Sequence, residues 1–479
     1  MQPVDRRHVQ RAMFNHLESI GGGFERKLQI APRNAVGKNW FTVFIAENGG
    51  RKSFLLRCLV EAALGRRRYA AEKGRSIQLI LPEMLPDRVI AISGTPLDRF
   101  PRAGTRDLKS KNRRLKDDFV YLGPRASNGM AGVAQSERSL IGSLISNRHR
   151  LPERALLLER TFSLLELAPY VDVTLVAGSY ADARDIKETA TSVPRLHDLL
   201  GLQDDEDRER LAEAIKTYVD RNSQVLKTME GLGGKEVVLR VGVGSIPTSK
   251  RRHGLTIEMW ELLMRLGRVT VMGTKFYRSK NLQAIPGEQL SSGQWGWLGT
   301  FGALVAEMRN NSLILVDEPE NSLHPRWQQE FIKELHAIVS VFESCQVVVA
   351  THSPLIASGV SPEWGNIRTL TRPSRSGAFV RSQELPTAYG WSASDVYQGP
   401  FGLVSTRAPE FLASANAALK ELSAGAIIEA AQRDAWIDEF KEGAAALPTF
   451  DPMRDVLENV VERLRAPSRS RPGGRKALG

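Results

Sequence analysis

The chain holds 479 residues, 42% hydrophobic and 25% charged, which is ordinary globular composition with length for more than one core. Lys and Arg total 66 against 54 Asp and Glu: residues 1–150 carry 28 basic and 13 acidic side chains (+15), and the remainder carries 38 and 41 (−3). A basic half beside a near-neutral one points to an anionic partner, nucleic acid first and nucleotide phosphate second.

The two cysteines, Cys58 and Cys345, lie far apart in apolar runs with no CxxC or His neighbour, which excludes a disulfide framework and a zinc ribbon. The opening MQPVDRRHVQRAMFNHLES lacks the apolar core of a secretory signal, and nowhere do 18 apolar residues run uninterrupted. The expectation is a soluble, cytoplasmic protein with no membrane partner.

In chain order, FERKLQI (24–30) alternates as a strand, and WFTVFI (40–45) is a compact apolar strand running into a glycine turn. The stretch SFLLRCLVEAAL (53–64) is helical, with Gly65 as its stop. Another strand covers 89–93, and 102–116 is a basic loop with seven Lys or Arg in fifteen residues. Residues 126–285 mix amphipathic helices (135–146, 154–166, 205–230) with strands (172–177, 236–243, 268–272), and a basic turn, Lys250-Arg251-Arg252-His253, falls between the last two. Without a sustained heptad this is no long coiled coil; it reads as an inserted mixed domain. Strands return at 313–316 and 347–350 around a helix at 325–341. Strands alternating with helices imply a largely parallel sheet. Residues 407–463 are helical in pattern, and the Pro/Gly/Ser-rich stretch 466–479 is expected to be a disordered basic tail.

Chemistry concentrates where strands end. After WFTVFI comes Ala46-Glu47-Asn48-Gly49-Gly50-Arg51-Lys52-Ser53 and then a helix, close to the G-x-x-x-x-G-K-[ST] phosphate loop in its strand–loop–helix setting. Backbone N–H groups from Asn48 to Ser53 would cradle phosphate oxygens, Lys52 would neutralise them, and Ser53 would hold Mg²⁺. Ala46 and Arg51 stand where the motif has glycine. Arginine is the costlier departure, although its guanidinium is itself able to reach a phosphate. Strand 313–316 runs into Asp317 and Glu318, fitting a Mg²⁺-water ligand and a base that orients the attacking water. Ser291, Ser292, Gly293 and Gln294 open an apolar helix, a second small-residue anion site. Strand 347–350 ends at Thr351-His352-Ser353-Pro354, which places His352 on the sheet edge where α/β folds bind ligands, as a γ-phosphate sensor.

The order ENGGRKS, LSSGQ, LILVDEPENSLHP, VVVATHSP resembles the ABC-type ATPases of the RecF, SMC and overcoming-lysogenisation-defect group. The resemblance implies an α/β fold: an ABC-type P-loop ATPase head with a mixed, largely parallel sheet, an inserted α+β/helical domain and a helical C-terminal region. The head halves would be 1–125 and 286–406, the insert 126–285, the helical region 407–465 and the tail 466–479. It further implies ATP and Mg²⁺ as cofactors, and a homodimer or higher oligomer through ATP-sandwiched heads, with Ser291 and Gly293 reaching the γ-phosphate in trans. His324 stands where transporters carry an aspartate, and no glutamine follows strand 89–93 as a Q-loop would require. The His324 departure argues against a transporter ATPase, as does the missing membrane segment.

More narrowly, VIAISGTPLDRFP (89–101), FVYLGPR (119–125), DEPENSLHPRWQ and YGWSASDVYQGPFG (389–402) resemble the ATPase subunit of Septu-type and retron-associated anti-phage systems. That implies a separately encoded nuclease partner of the HNH type, with ATP binding and hydrolysis controlling it. The alternative is a RecF/SMC-like repair ATPase binding DNA or RNA directly, for which the basic N-terminal half speaks. A third reading, a module that binds ATP without turning it over, rests on Ala46 and Arg51 and fits slow hydrolysis by a degenerate P-loop.

Overall fold

The computed structural model describes residues 14–466 apart from 22, 33–34, 36–38, 47–48, 71–75, 83–84, 102–118, 126–131, 178–192, 201, 203–204, 233–234, 244–247, 322, 372–378 and 404. The basic loop 102–116, Asn48 of the phosphate loop and all of the expected tail but Ala466 therefore lie outside the described residues. The chain divides into two units, 1–396 and 397–479, and residues 126–285 do not separate from the first.

The first unit is organised by a sheet with the order Arg381–Leu385, Gly365–Thr371, Asn39–Ile45, Cys345–Thr351, Ser312–Asp317, Arg88–Ser93, Phe119–Leu122. Every pairing is parallel except that of the edge strand Arg381–Leu385. The central strands are near-continuous apolar runs because both faces are covered, and Ser312–Asp317 and Cys345–Thr351 are buried throughout. Register brings the chain ends together: Thr351 pairs with Ile45, and Asp317 with both Ala350 and Ser93. Residues 46, 94, 318 and 352 thus emerge along one edge. Helix Lys52–Ala63 lays Leu55, Leu56 and Leu59 into a core with Leu313, Leu315 and Val348.

A second sheet, antiparallel, is centred on His16–Ile20, paired with Lys27–Gln29 and Ser76–Ile80. The strand expected over 24–30 forms only at Lys27–Gln29, while Phe24 makes an isolated bridge to Val380. In the insert, Ala284–Pro286, Val269–Tyr277, Tyr170–Ala177 and Glu236–Gly242 form an antiparallel sheet with alternating burial. The helix expected over 205–230 is two, Asp205–Asp220 and Asn222–Gly231, separated at Arg221. Helix Ile257–Arg265 buries Glu261 among Arg148, Arg210 and Arg265.

In the second unit, helices Pro409–Ala424, Ala430–Ala446 and Pro452–Arg465 share a core of Ala418, Trp436, Phe440, Leu457 and Val460. The last helix starts at Asp451, whose carboxylate accepts from the Met453 amide at 2.9 Å and pairs with Arg407.

Candidate functional site

The strand Asn39–Ile45 delivers the chain into the predicted phosphate loop, and Arg51 caps the helix that follows with φ 63° and ψ 24°, in the left-handed region. Glycine is the ordinary occupant of such a residue because an L side chain is strained there. The Arg51 guanidinium lies over the Phe54 ring, 5.6 Å from its centroid, and against Gly23. That contact couples the loop to the N-terminal sheet.

Lys52 turns inward and is almost fully buried. Its Nζ donates to the Ala46 carbonyl at 2.9 Å and to His352 Nε2 at 2.8 Å. Burial pulls the Lys52 pKa down to about 8, against the attraction of Glu318, Glu320 and Asp317. Burial also lowers the pKa of His352, and the Lys52 ammonium lowers it further, which keeps the imidazole a neutral acceptor. His352 Nε2 lies 3.7 Å from Glu318 Oε1. Ser53 Oγ donates to Asp317 Oδ1 at 3.1 Å. Five predicted residues, Lys52, Ser53, Asp317, Glu318 and His352, therefore meet at the sheet edge.

Asp317 is fully buried, and its Oδ2 has no hydrogen-bond partner among the described residues. Burial, with Glu318 and Asp98 adding to it, raises its pKa to about 7, although the Ser53 hydroxyl and Lys52 pull the other way. An orphaned carboxylate oxygen beside a hydroxyl is a hard donor pair of the kind that holds Mg²⁺, which takes one or two protein oxygens and completes its shell with water and phosphate. The donor set therefore fits Mg²⁺.

Glu318 has φ 47°, a second left-handed non-glycine residue. Its amide donates to the Ala350 carbonyl at 2.8 Å, and the Gly94 amide donates to the Asp317 carbonyl at 3.0 Å. Any Cβ at residue 94 would collide with the Glu318 carbonyl oxygen, so glycine is required there by close approach. Strain held in place by surrounding structure is a feature of working sites.

Three positioning residues escaped the sequence reading. Glu320, buried, accepts from Thr351 Oγ1 at 2.8 Å and from the His352 amide at 2.5 Å, tying the histidine to the Asp317 elbow. Its partners sit thirty residues on, so only its adjacency to Glu318 signalled it. Asp98 accepts from Tyr121 Oη at 2.6 Å and Arg125 Nη2 at 2.8 Å, fixing the segment after strand Arg88–Ser93. Arg154 donates to the carbonyls of Val305 and Ala306, both at 2.7 Å, and of Met308 at 2.8 Å.

Those carbonyls end the helical stretch that begins with Ser291–Gln294. Ser291 caps it in a reciprocal box: its Oγ accepts from the Gln294 amide at 3.2 Å, and Gln294 Oε1 accepts from the Ser291 amide at 2.9 Å. Ser291 and Ser292 are exposed and Gly293 is buried. Among the described residues, none of the four hydrogen-bonds to the phosphate loop, Asp317 or His352 of the same chain. Ser292 instead shares a cleft of about 230 Å³ with Ser93, Gly94, Pro319 and Asn321. His324 is a helix cap, its Nδ1 accepting from the Arg326 amide at 3.3 Å.

A phosphate loop on one parallel strand, an Asp-Glu pair ending the strand beside Arg88–Ser93 and a histidine ending the strand between them define an ABC-type ATPase head. The chain belongs to the family described as "AAA domain, putative AbiEii toxin, Type IV TA system", whose model matches residues 104–358, downstream of the phosphate loop. It is similar to a protein named Septu protein PtuA from Bacillus thuringiensis, 28% identical over 104 residues, covering 21% of this chain and 24% of that protein. A Septu protein PtuA from Bacillus mycoides (strain KBAB4) is 27% identical over 127 residues, covering 25% and 17%. The Vibrio cholerae protein named "Retron Vc95 probable ATPase" is 37% identical over 51 residues, covering 11% and 9%. The matched stretches thus span a quarter or less of these relatives' own lengths. Among solved structures, the Smc head domain of Pyrococcus furiosus aligns with TM-score 0.30 and 10% identity over 78% of this chain and 96% of that one. Stu0660 of Streptococcus thermophilus aligns with TM-score 0.31 and 9% identity over 94% and 93%. Among the described residues no helix is long and apolar enough to cross a membrane.

Proposed function

We propose that this chain is the ATP-binding and ATP-hydrolysing subunit of a bacterial anti-phage complex, in which nucleotide-dependent pairing of two heads controls a partner nuclease. The observation that carries the ATPase reading is the convergence of Lys52, Ser53, Asp317, Glu318 and His352 at one sheet edge. The stretches shared with the PtuA and retron proteins support the defence setting and a separately encoded partner. The capping box that presents Ser291 and Ser292 outward supports completion of the site by a second head.

In this reading the backbone of the phosphate loop, the Arg51 amide included, binds the triphosphate together with the Lys52 ammonium and the Ser53 hydroxyl. Lys52 is already desolvated, so exchanging the Ala46 carbonyl and His352 for phosphate oxygens strengthens its charge without further burial. Mg²⁺, held by Ser53 and Asp317, supplies neutralisation of phosphate charge. Glu318 orients and deprotonates the attacking water, while His352, held by Glu320, senses the γ-phosphate.

The test is a pair of variants. Glu318→Gln retains ATP binding, accumulates dimers with ATP and loses turnover by about 10²–10⁴-fold, the range for removal of a general base. Lys52→Ala loses binding itself. Equal ATPase rates in wild type and Glu318→Gln would overturn the assignment. Co-purification of the chain with the products of its neighbouring genes tests the partner: a nuclease in the complex supports the defence reading, and an ATP-dependent homodimer alone moves it to repair.

A further inference from the structure

The basic turn of the insert takes no part in the ATP site, and its structure is specific. Arg251–Arg252 and Leu255–Thr256 form a two-stranded ribbon, with Arg251 opposite Thr256 and Arg252 opposite Leu255. His253 (φ 49°) and Gly254 (φ 77°) make the two-residue turn, both left-handed as the tightest hairpins demand. Lys250, Arg251, Arg252 and His253 are all exposed, and none of their side chains makes a hydrogen bond or ion pair among the described residues.

The ribbon is nevertheless firmly mounted. The Ser249 amide donates to the Arg240 carbonyl at 2.8 Å, the Arg240 amide to Ser249 Oγ at 3.1 Å, and the Gly242 amide to Thr248 Oγ1 at 3.1 Å. These bonds run along the edge strand Glu236–Gly242 of the insert sheet. On the other side, Thr256 caps helix Ile257–Arg265, and buried Trp260 donates to the Arg252 carbonyl at 3.4 Å. Acidic groups on the elements that carry the hairpin are engaged elsewhere: Glu258 pairs with Arg148 at 2.6 Å, Glu261 is buried among Arg148, Arg210 and Arg265, and Asp172, opposite Arg240 on the neighbouring strand, is taken bidentately by it at 2.7 and 2.8 Å. A rigid tip with several uncompensated cations is a preorganised polyanion contact, since little is lost in ordering it.

The same features select the polyanion. The exposed tip carries no Tyr, Trp or Phe on which unpaired bases would stack, as single-strand binders require. Nor does it expose the apolar core typical of a protein interface. A two-stranded ribbon fits the major groove of B-form DNA, about 12 Å wide, whereas the deep, narrow major groove of A-form RNA shuts it out. We infer that the Lys250–Thr256 hairpin is a docking element for duplex DNA, with Lys250, Arg251 and Arg252 on the phosphate backbone.

The experiment measures binding of the full chain to a fluorescent 30-base-pair DNA duplex across a salt series. The variant is K250A/R251A/R252A, and K216A/K420A/R463A, which removes equal charge from exposed unpaired side chains elsewhere, is the control. Loss of three phosphate contacts lowers the slope of log K against log salt by about 2.7, at about 0.9 per contact, and weakens binding more than tenfold at about 50 mM salt. The control changes affinity less than about threefold. ATP binding and thermal melting of the hairpin variant stay at wild-type values, which separates failure of this inference from failure of the ATP reading. Wild-type DNA affinity in the hairpin variant overturns the proposal, as does an equal loss in the control. An equal dependence for a double-stranded RNA of the same length overturns the choice of DNA.

Discussion

Arg51 is the sharpest departure of this chain from the phosphate-loop pattern, and its conformation allows the cost to be worked out. Holding an L residue in the left-handed region costs roughly 1–2 kcal/mol. The guanidinium over Phe54 returns about 0.5–1 kcal/mol at an exposed site. Replacing Arg51 by glycine removes the strain but forfeits that contact and adds about 0.5–1 kcal/mol of chain entropy, for a net near zero. Replacing it by alanine keeps the strain and loses the contact. The two variants therefore differ by about 1 kcal/mol, roughly fivefold in the equilibrium for opening the loop.

The Leu55 amide reports on that equilibrium, because its hydrogen bond to the Arg51 carbonyl (2.9 Å) is the first of the helix. Hydrogen exchange at Leu55 is expected about fivefold slower in Arg51→Gly than in Arg51→Ala, with wild type near the glycine variant. ATP titration completes the test. Arg51→Gly binds ATP as tightly as wild type and turns it over faster if the arginine acts as a brake. Equal exchange in the two variants would refute the strain argument. A loss of ATP binding beyond tenfold in Arg51→Gly, with exchange unchanged, would instead make the guanidinium a phosphate ligand.

Two further outcomes follow from particular contacts. Gly94→Ala drives a methyl into the Glu318 carbonyl, backbone that has no room to yield, so turnover falls at least about tenfold while Lys52-dependent ATP binding persists, measured by ATPase assay and ATP titration. Glu261→Gln removes the central counter-charge of Arg148, Arg210 and Arg265, leaving them Glu258 and Asp207, and costs about 1.5–3 kcal/mol at neutral pH, read as a lowered melting temperature. Those arginines hold the Glu261 pKa below its ordinary 4.5, so its stabilisation is present above that value and lost as pH falls through the depressed one. The wild-type advantage over Glu261→Gln must shrink in acid, and parallel melting curves from pH 7 to 3 would contradict this.

The parts of the head that were legible in the sequence share a physical cause. Strands Asn39–Ile45, Ser312–Asp317 and Cys345–Thr351 are buried on both faces, so they stand out as apolar runs, and the polar residues that end them are conspicuous. The missed elements lack that contrast. Arg68–Ala70 has three residues, too few for a period to emerge, and is a strand only because Ser76–Ile80 folds back to pair with it. Glu320 and Arg154 act through backbone groups contributed by other segments, and a backbone amide or carbonyl leaves no trace in residue identity. The left-handed backbone of Glu318 was hidden for a different reason: glutamate is not a residue that announces it.

Arg154 and its neighbours bear on how the insert relates to the head. The helical stretch opened by Ser291 passes through a π-helical turn at Leu298–Gly302, a wound segment that stores an extra residue and is frequent where helices adjust. At that turn Gly302 lets Leu140 of helix Val133–Ser146 approach so closely that a Cβ would stand 2.9 Å from it. Beyond the turn, the Arg154 fork closes the helix end on three carbonyls and lies over Phe342, 5.2 Å from the ring centroid. The near half is held as well: buried Trp295 donates to the Gly287 carbonyl at 2.8 Å and meets Phe276 of the insert edge-on, so only Ser291 and Ser292, at its start, are left exposed. In the head-to-head pairing proposed above, a shift of Ser291 and Ser292 would be absorbed at the π-turn or carried into the insert through Phe276 and helix Val133–Ser146. The insert is thus a mechanical continuation of the helical stretch opened by Ser291, which is why residues 126–285 do not part from the head as a unit of their own.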